Sequence, residues 1–127
     1  HGHTLKLISK MSHSDYAKAL SGFDVGLSLM YAPHPSILPF EMSSSGIVTV
    51  TNTYGGRDEA LLKSISGNLV PCKSNIDSLA ESLKVAVSQM EDTKARIKHA
   101  DIAWVNDWQD SFNEEVMIEI NKFLIGE

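Results

Sequence analysis

Cysteine is nearly absent, since Cys72 is the only one in 127 residues. A lone thiol excludes an intramolecular disulfide and any multi-thiolate metal site, and it fits a reducing compartment. Long apolar runs are also missing. None approaches the about 18 residues that a membrane span needs, and the opening His1-Gly2-His3-Thr4 lacks the basic and apolar regions of a signal peptide. The expected location is cytoplasmic, with any membrane association supplied by the rest of a longer protein. Basic charge is short as well. Eleven Lys and Arg against 16 Asp and Glu give a formal charge of -5 and a pI near 5.5, which argues against binding nucleic acid through bulk charge. Proline is scarce but clustered: Pro33, Pro35 and Pro39 fall close together.

The remaining composition is that of an ordinary globular chain. Hydrophobic residues make up 43% and charged residues 21%, which excludes a disordered tract, a collagen-like repeat and a coiled coil. The length suits one domain. Apolar, β-branched runs alternate with helical patterns, the signature of βα units around a parallel sheet. Four strands are expected, Thr4–Ser9, Asp24–Met30, Ile47–Asn52 and Asn68–Cys72. The two middle ones are nearly continuous in apolar or Thr/Ser content, as a sheet covered on both faces requires. Leu5-Lys6-Leu7-Ile8 begins almost at once, without a leader or an initiating Met, so the chain is expected to be a piece of a longer one.

Helices fill the intervals. Ser14-Asp15 starts a short one carrying Tyr16, Ala17 and Leu20 on one face and stopping at Gly22. Pro39-Phe40-Glu41-Met42-Ser43 opens a second that ends at Gly46. A third runs from about Arg57 to Ser66. Ile76, Leu79, Ala80, Leu83, Val87 and Met90 then recur at helical spacing behind Ser74 or Asn75 as cap. Two more helical stretches follow, Thr93–Ala103 and Asp107–Leu124, the last with a stripe of Trp108, Phe112, Val116, Ile120 and Phe123.

In an open parallel sheet, ligands bind where the carboxyl ends of the strands meet the following loops. Three loops qualify: Ser9–Ser14, Tyr31–Glu41 and Thr53–Asp58. The second is the richest, with three prolines that restrict its shape, His34, Tyr31 and the carboxylate of Glu41 entering a helix.

These residues carry a resemblance. Asp24–Met30 followed by Pro39-Phe40-Glu41-Met42-Ser43-Ser44-Ser45-Gly46-Ile47-Val48-Thr49-Val50-Thr51-Asn52 is similar to the donor-binding C-terminal half of retaining GT-B glycosyltransferases. Ser28-Leu29-Met30-Tyr31-Ala32-Pro33-His34-Pro35-Ser36 ahead of the Pro-x-Glu resembles more narrowly the rhamnosyltransferase-type members that build bacterial surface polysaccharides. The likeness runs from about Leu5 to Phe123 and is most specific over Asp24–Asn52.

The resemblance implies a partial Rossmann-like α/β fold with a parallel sheet of about four strands, spanning residues 1–127 as the C-terminal donor domain. It implies a nucleoside-diphosphate sugar as donor substrate, with no separate cofactor and no metal, and hexosyl transfer with retention in the full-length protein. Glu41 matches the second carboxylate of the family's Glu-seven-residues-Glu pattern, which grips ribose hydroxyls, while Pro33 stands where the first carboxylate would be. His34, Pro35, Ser36 and Ile37 would line the diphosphate and sugar, and Lys10, Met11 and Ser12 would lie near the base. The cations that neutralise the diphosphate and the acceptor domain would lie upstream, so the isolated chain is expected to be inactive. The four strands would be the third to sixth of a sheet ordered 3-2-1-4-5-6. Leu5–Ile8 would then close against the second strand or pair with another chain, giving a dimer through the exposed sheet edge.

Other readings stand beside these. Glu41 in a first helical turn is favoured by the macrodipole alone. His34 between prolines suits a rigid loop. Ser43-Ser44-Ser45 lacks a nucleophile elbow and suits close helix-to-strand packing. Thr53-Tyr54-Gly55-Gly56 reads as a turn, Cys72 as a small core residue, and His13 and His99 have no partner at metal-ligand spacing. A phosphorylatable receiver domain would need acidic residues where Ser9-Lys10 and Asn52-Thr53 stand. A non-catalytic interaction module derived from a glycosyltransferase domain remains the alternative, because Pro33 replaces a carboxylate.

Overall fold

The computed structural model describes residues 2–31, 36–102 and 107–126. The chain is α/β. Three parallel strands, β1 (Val25–Ser28), β2 (Val48–Asn52) and β3 (Leu69–Cys72), lie in the order β1-β2-β3. The helices α1 (His13–Leu20), α2 (Leu38–Ser44) and α3 (Glu59–Ile65) each precede one strand, and α4 (Ile76–Gln89), α5 (Thr93–His99), α6 (Trp108–Ser111) and α7 (Glu114–Ile125) follow the sheet.

Every residue of β2 is buried, as a central strand covered on both faces must be. The period-two pleat divides its side chains. Val48 and Val50 point to one face, where they pack with Val70, Cys72 and Ala86 beneath Leu79, Leu83 and Met90. Each such side chain buried contributes about 1.5–3 kcal/mol. Thr49 and Thr51 point to the opposite face, toward α2 and α3. Gly26 permits close approach there: a Cβ at this position would come within 2.9 Å of Met42 Sδ and 3.1 Å of Ile47 Cγ2.

The rear edge of the sheet, where each strand begins, is held by buried polar groups. Arg96 from α5 donates through Nε to Gly46 O at 2.7 Å and through Nη1 to Met90 O at 2.7 Å and Asp24 Oδ1 at 3.0 Å. Asn68 Nδ2 donates to Ser43 O at 3.1 Å and to Arg96 O at 2.9 Å. Ser66 Oγ accepts from Ser43 Oγ at 2.7 Å and from the Asn68 amide at 3.1 Å, and donates to His99 O at 2.6 Å. The serine run thus supplies packing: Ser43 is fully buried, while the Ser44 and Ser45 hydroxyls bond back to Glu41 O at 3.0 and 2.8 Å.

The strand expected at Thr4–Ser9 does not form. Leu5 and Leu7 are 88% and 89% exposed, and the outer edge of β1 has no partner among the described residues. A strand exists only through a ladder with a neighbour, and an apolar run without one stays irregular. The single helix expected over Asp107–Leu124 is also divided. Phe112 closes α6 with its amide on Trp108 O at 2.8 Å, and extended Asn113 restarts the chain by capping the Val116 amide at 3.0 Å. Neither α6 nor α7 buries a residue; Trp108 and Phe112 stack on each other at 5.7 Å, and the stripe covers no core. Boundaries shift with the caps: Ser12 starts α1 at His13, Asp58, bonded to the Leu61 amide at 2.8 Å, starts α3 at Glu59, and α5 ends at His99, while Ala103 lies outside the described residues.

Arg96→Ala leaves the carbonyls of Gly46, Met90 and Phe23 and the Asp24 carboxylate without this donor, and should lower unfolding free energy by about 2–4 kcal/mol in urea titration. Arg96→Lys should recover only part of this, because an ammonium cannot reproduce the planar spread of donors.

Candidate functional site

A cleft of about 760 Å³ lies between α1 and α2 and opens onto the segment before α1. Lys10 and Met11 line it from that segment, Tyr16 from α1, and Leu38 and Glu41 from α2. Local sequence explains the placement. Ser12 caps α1 through the Asp15 amide at 3.2 Å, which sets Tyr16 one turn into the helix. Pro39 at the start of α2 needs no amide partner, and Ile37 O accepts the Phe40 and Glu41 amides at 3.0 Å each. Ile37 brings no capping side chain, so the acidic Glu41 in the first turn is the group that complements the helix dipole.

Tyr16 and Glu41 form the polar part of this wall. The Tyr16 hydroxyl is buried, facing Glu41. Burial first, then the charge of the Glu41 carboxylate and a side-chain hydrogen bond with it, push the Tyr16 phenol above its ordinary pKa. It therefore remains a proton donor facing a carboxylate acceptor. Among the described residues no cation pairs with Glu41.

The residues expected at the site divide into three groups. Lys10, Met11 and Glu41 share the cleft. Ser12 is engaged as the cap of α1, with its hydroxyl on Asp15 Oδ2 at 2.7 Å; Ser36 is buried and Ile37 is half-exposed at the start of α2, and none of these three lines the cleft. His34, Pro35 and Pro33 lie outside the described residues.

At the front of the sheet, where the strands end, Asn52 joins β2 to the exit of β1. Its Oδ1 accepts the Met30 amide at 2.6 Å and its Nδ2 donates to Met30 O at 2.9 Å and Ser74 Oγ at 3.3 Å. Beside it Thr53-Tyr54-Gly55-Gly56 makes the expected turn, closed by paired amide bonds between Tyr54 and Arg57. The Arg57 guanidinium is buried between the rings of Phe40 and Tyr54, at 5.3 and 5.6 Å from their centroids, and donates from Nη2 to Thr51 Oγ1 at 2.9 Å. Among the described residues its Nε and Nη1 meet no acceptor.

Tyr16 and Arg57 are the residues that sequence reasoning missed as polar features. Tyr16 sits on an apolar helical face and reads as packing. Arg57 reads as the first residue of a solvated helix. The only available signal was an Arg directly after a Gly-Gly turn at a strand end. Among the described residues no three His, Cys, Asp or Glu side chains cluster to hold a metal, and no helix is long and apolar enough to cross a membrane.

Residues 1–84, which include all three strands and the whole cleft wall, match the family model described as WsaF, C-terminal domain. The chain belongs to the WsaF C-terminal domain family. It is a glycosyltransferase-related domain. No curated protein matches the chain. The match ends inside α4, so the last three helices of this WsaF-type domain lie beyond it.

Asn52→Ala should leave the Met30 amide and carbonyl without their Asn52 partner at the exit of β1. The expected cost is about 1–3 kcal/mol in denaturant titration, with faster hydrogen exchange at Met30 and Tyr31 than in the parent WsaF-type domain.

Proposed function

We propose that this domain is the donor-binding part of a glycosyltransferase, and that the cleft between α1 and α2 takes the nucleoside end of a nucleoside-diphosphate sugar. The observation that carries the reading is the convergence of Lys10 and Met11 with Glu41 on one cleft. They come from separate elements, and the resemblance to retaining GT-B glycosyltransferases implies a nucleotide role for each. Glu41 accepts from ribose hydroxyls in charge-assisted hydrogen bonds, which are stronger than neutral ones. The segment His34 to Ile37, leading into α2, carries the diphosphate and the sugar. An upstream acceptor domain completes the enzyme, which transfers a hexosyl group with retention to a glycan hydroxyl on the cytoplasmic side. Rhamnose fits the narrower resemblance of the 28–36 segment. The unpaired edge of β1 and the exposed Leu5, Leu7 and Ile8 suit further strands of the same sheet, or a second chain.

A non-catalytic interaction module is the second reading, favoured by Pro33 in place of a carboxylate. Titration calorimetry with UDP, dTDP, GDP and ADP separates the two. The donor reading expects one diphosphate to bind and Glu41→Ala to weaken it by about 10- to 100-fold, the loss of a charged hydrogen bond. Absence of binding, or equal binding by the variant, leaves the interaction module.

A further inference from the structure

α2 carries Glu41 on only seven residues, and so short a helix depends on packing to hold its place. Ile37 brings no capping side chain to its start. Both ends are tied to other elements instead. At the rear, Ser43 is buried, its hydroxyl donates to Ser66 Oγ at 2.7 Å, and its carbonyl accepts Asn68 Nδ2 at 3.1 Å. At the front, the Phe40 ring faces the Arg57 guanidinium at 5.3 Å. Phe40 directly precedes Glu41, so whatever holds that ring also fixes the rotation of the first turn of α2.

Arg57 is itself held from two further sides. It is 9% exposed, its Nη2 donates to Thr51 Oγ1 in β2 at 2.9 Å, and the Tyr54 ring lies at 5.6 Å. Burying a cation is costly, and ring faces return part of that cost through their quadrupoles. One planar group thereby joins the carboxyl end of β2, the turn that follows it and the first turn of α2. Arg57 is not among the residues that line the cleft.

We propose that Arg57 is a positioning residue for Glu41: through Phe40 it sets the rotation of α2, and with it the direction in which the carboxylate meets the nucleotide. The inference rests on the donor-binding reading above and adds to it a residue that acts without touching the ligand. Lysine is a poor substitute, because an ammonium has no flat face to lie against the rings while its donors reach Thr51.

A double-mutant cycle tests this, with affinity read by titration calorimetry and the diphosphate among UDP, dTDP, GDP and ADP that binds the parent chain most tightly. Arg57→Met keeps the length of the stem and removes the cation. It should weaken binding by about 3- to 10-fold, less than Glu41→Ala does. In the Glu41→Ala background the same change should alter affinity by less than about twofold, because the group it positions is gone. A fall in melting temperature is expected in both backgrounds, so stability alone does not produce this pattern. Arg57→Lys carries the same cycle, with a smaller loss, if the Met variant does not fold. An equal loss of affinity in both backgrounds overturns the proposal, as the mark of direct contact or of general support to the cleft. Unchanged affinity in the parent background also overturns it, and leaves the donor reading standing. Failure of the parent chain to bind any diphosphate, or equal binding by Glu41→Ala, overturns the donor reading and this inference together.

Discussion

The guanidinium of Arg96 is the contact on which the arrangement of the sheet depends. A parallel sheet returns every helix to the same edge, so its rear collects chain reversals whose carbonyls have left one element and not entered the next. Gly46 O, Met90 O and the Asp24 carboxylate are three such acceptors, and one planar side chain meets all of them. Around it, Asn68, Ser66 and Ser43 connect α2, β3 and α5 through short polar side chains. Remove the central cation and the entries of β1 and β2 lose their common anchor.

That anchor also determines where the cleft residues stand. α1 leads into β1 and α2 into β2, so fixing the strand entries fixes the tails of both helices, and the helices in turn carry Tyr16 and Glu41 toward each other. At the opposite end Asn52 fastens the exit of β1 to β2 through both backbone groups of Met30. Glu41 is thus held by short helices braced behind and faces Tyr16, and among the described residues it makes no salt bridge.

Legibility in the sequence followed the range of the interaction involved. Val48–Asn52 and α4 were readable because their signals are local: a β-branched run buried on both faces, and an apolar face at helical spacing behind the Asn75 cap. Leu5–Ile8 carried an equally strong strand pattern, yet a strand is completed by a neighbour that lies far away in sequence or in another chain. The stripe from Trp108 to Phe123 failed differently, since Asn113 competes for the backbone as a cap in the middle of the periodicity. Of the site, Glu41, Lys10 and Met11 could be proposed from a motif and its flanks. Tyr16, Arg57 and Arg96 could not, because what marks them is the presence or absence of a tertiary partner, and residue type alone reports neither.

The rear network has a consequence for how such a domain can diversify. Ser43, Ser66, Asn68 and Arg96 gather where the strands start, whereas the Thr53–Asp58 turn lies where they end, with Asn52 and Arg57 as polar fastenings there. Sequence change at the front that spares Asn52 and Arg57 therefore draws little on the interactions that keep the strands in place. One scaffold of this kind can be refitted for different ligands by altering its front loops, while its rear edge stays under the constraint of a crowded hydrogen-bond network.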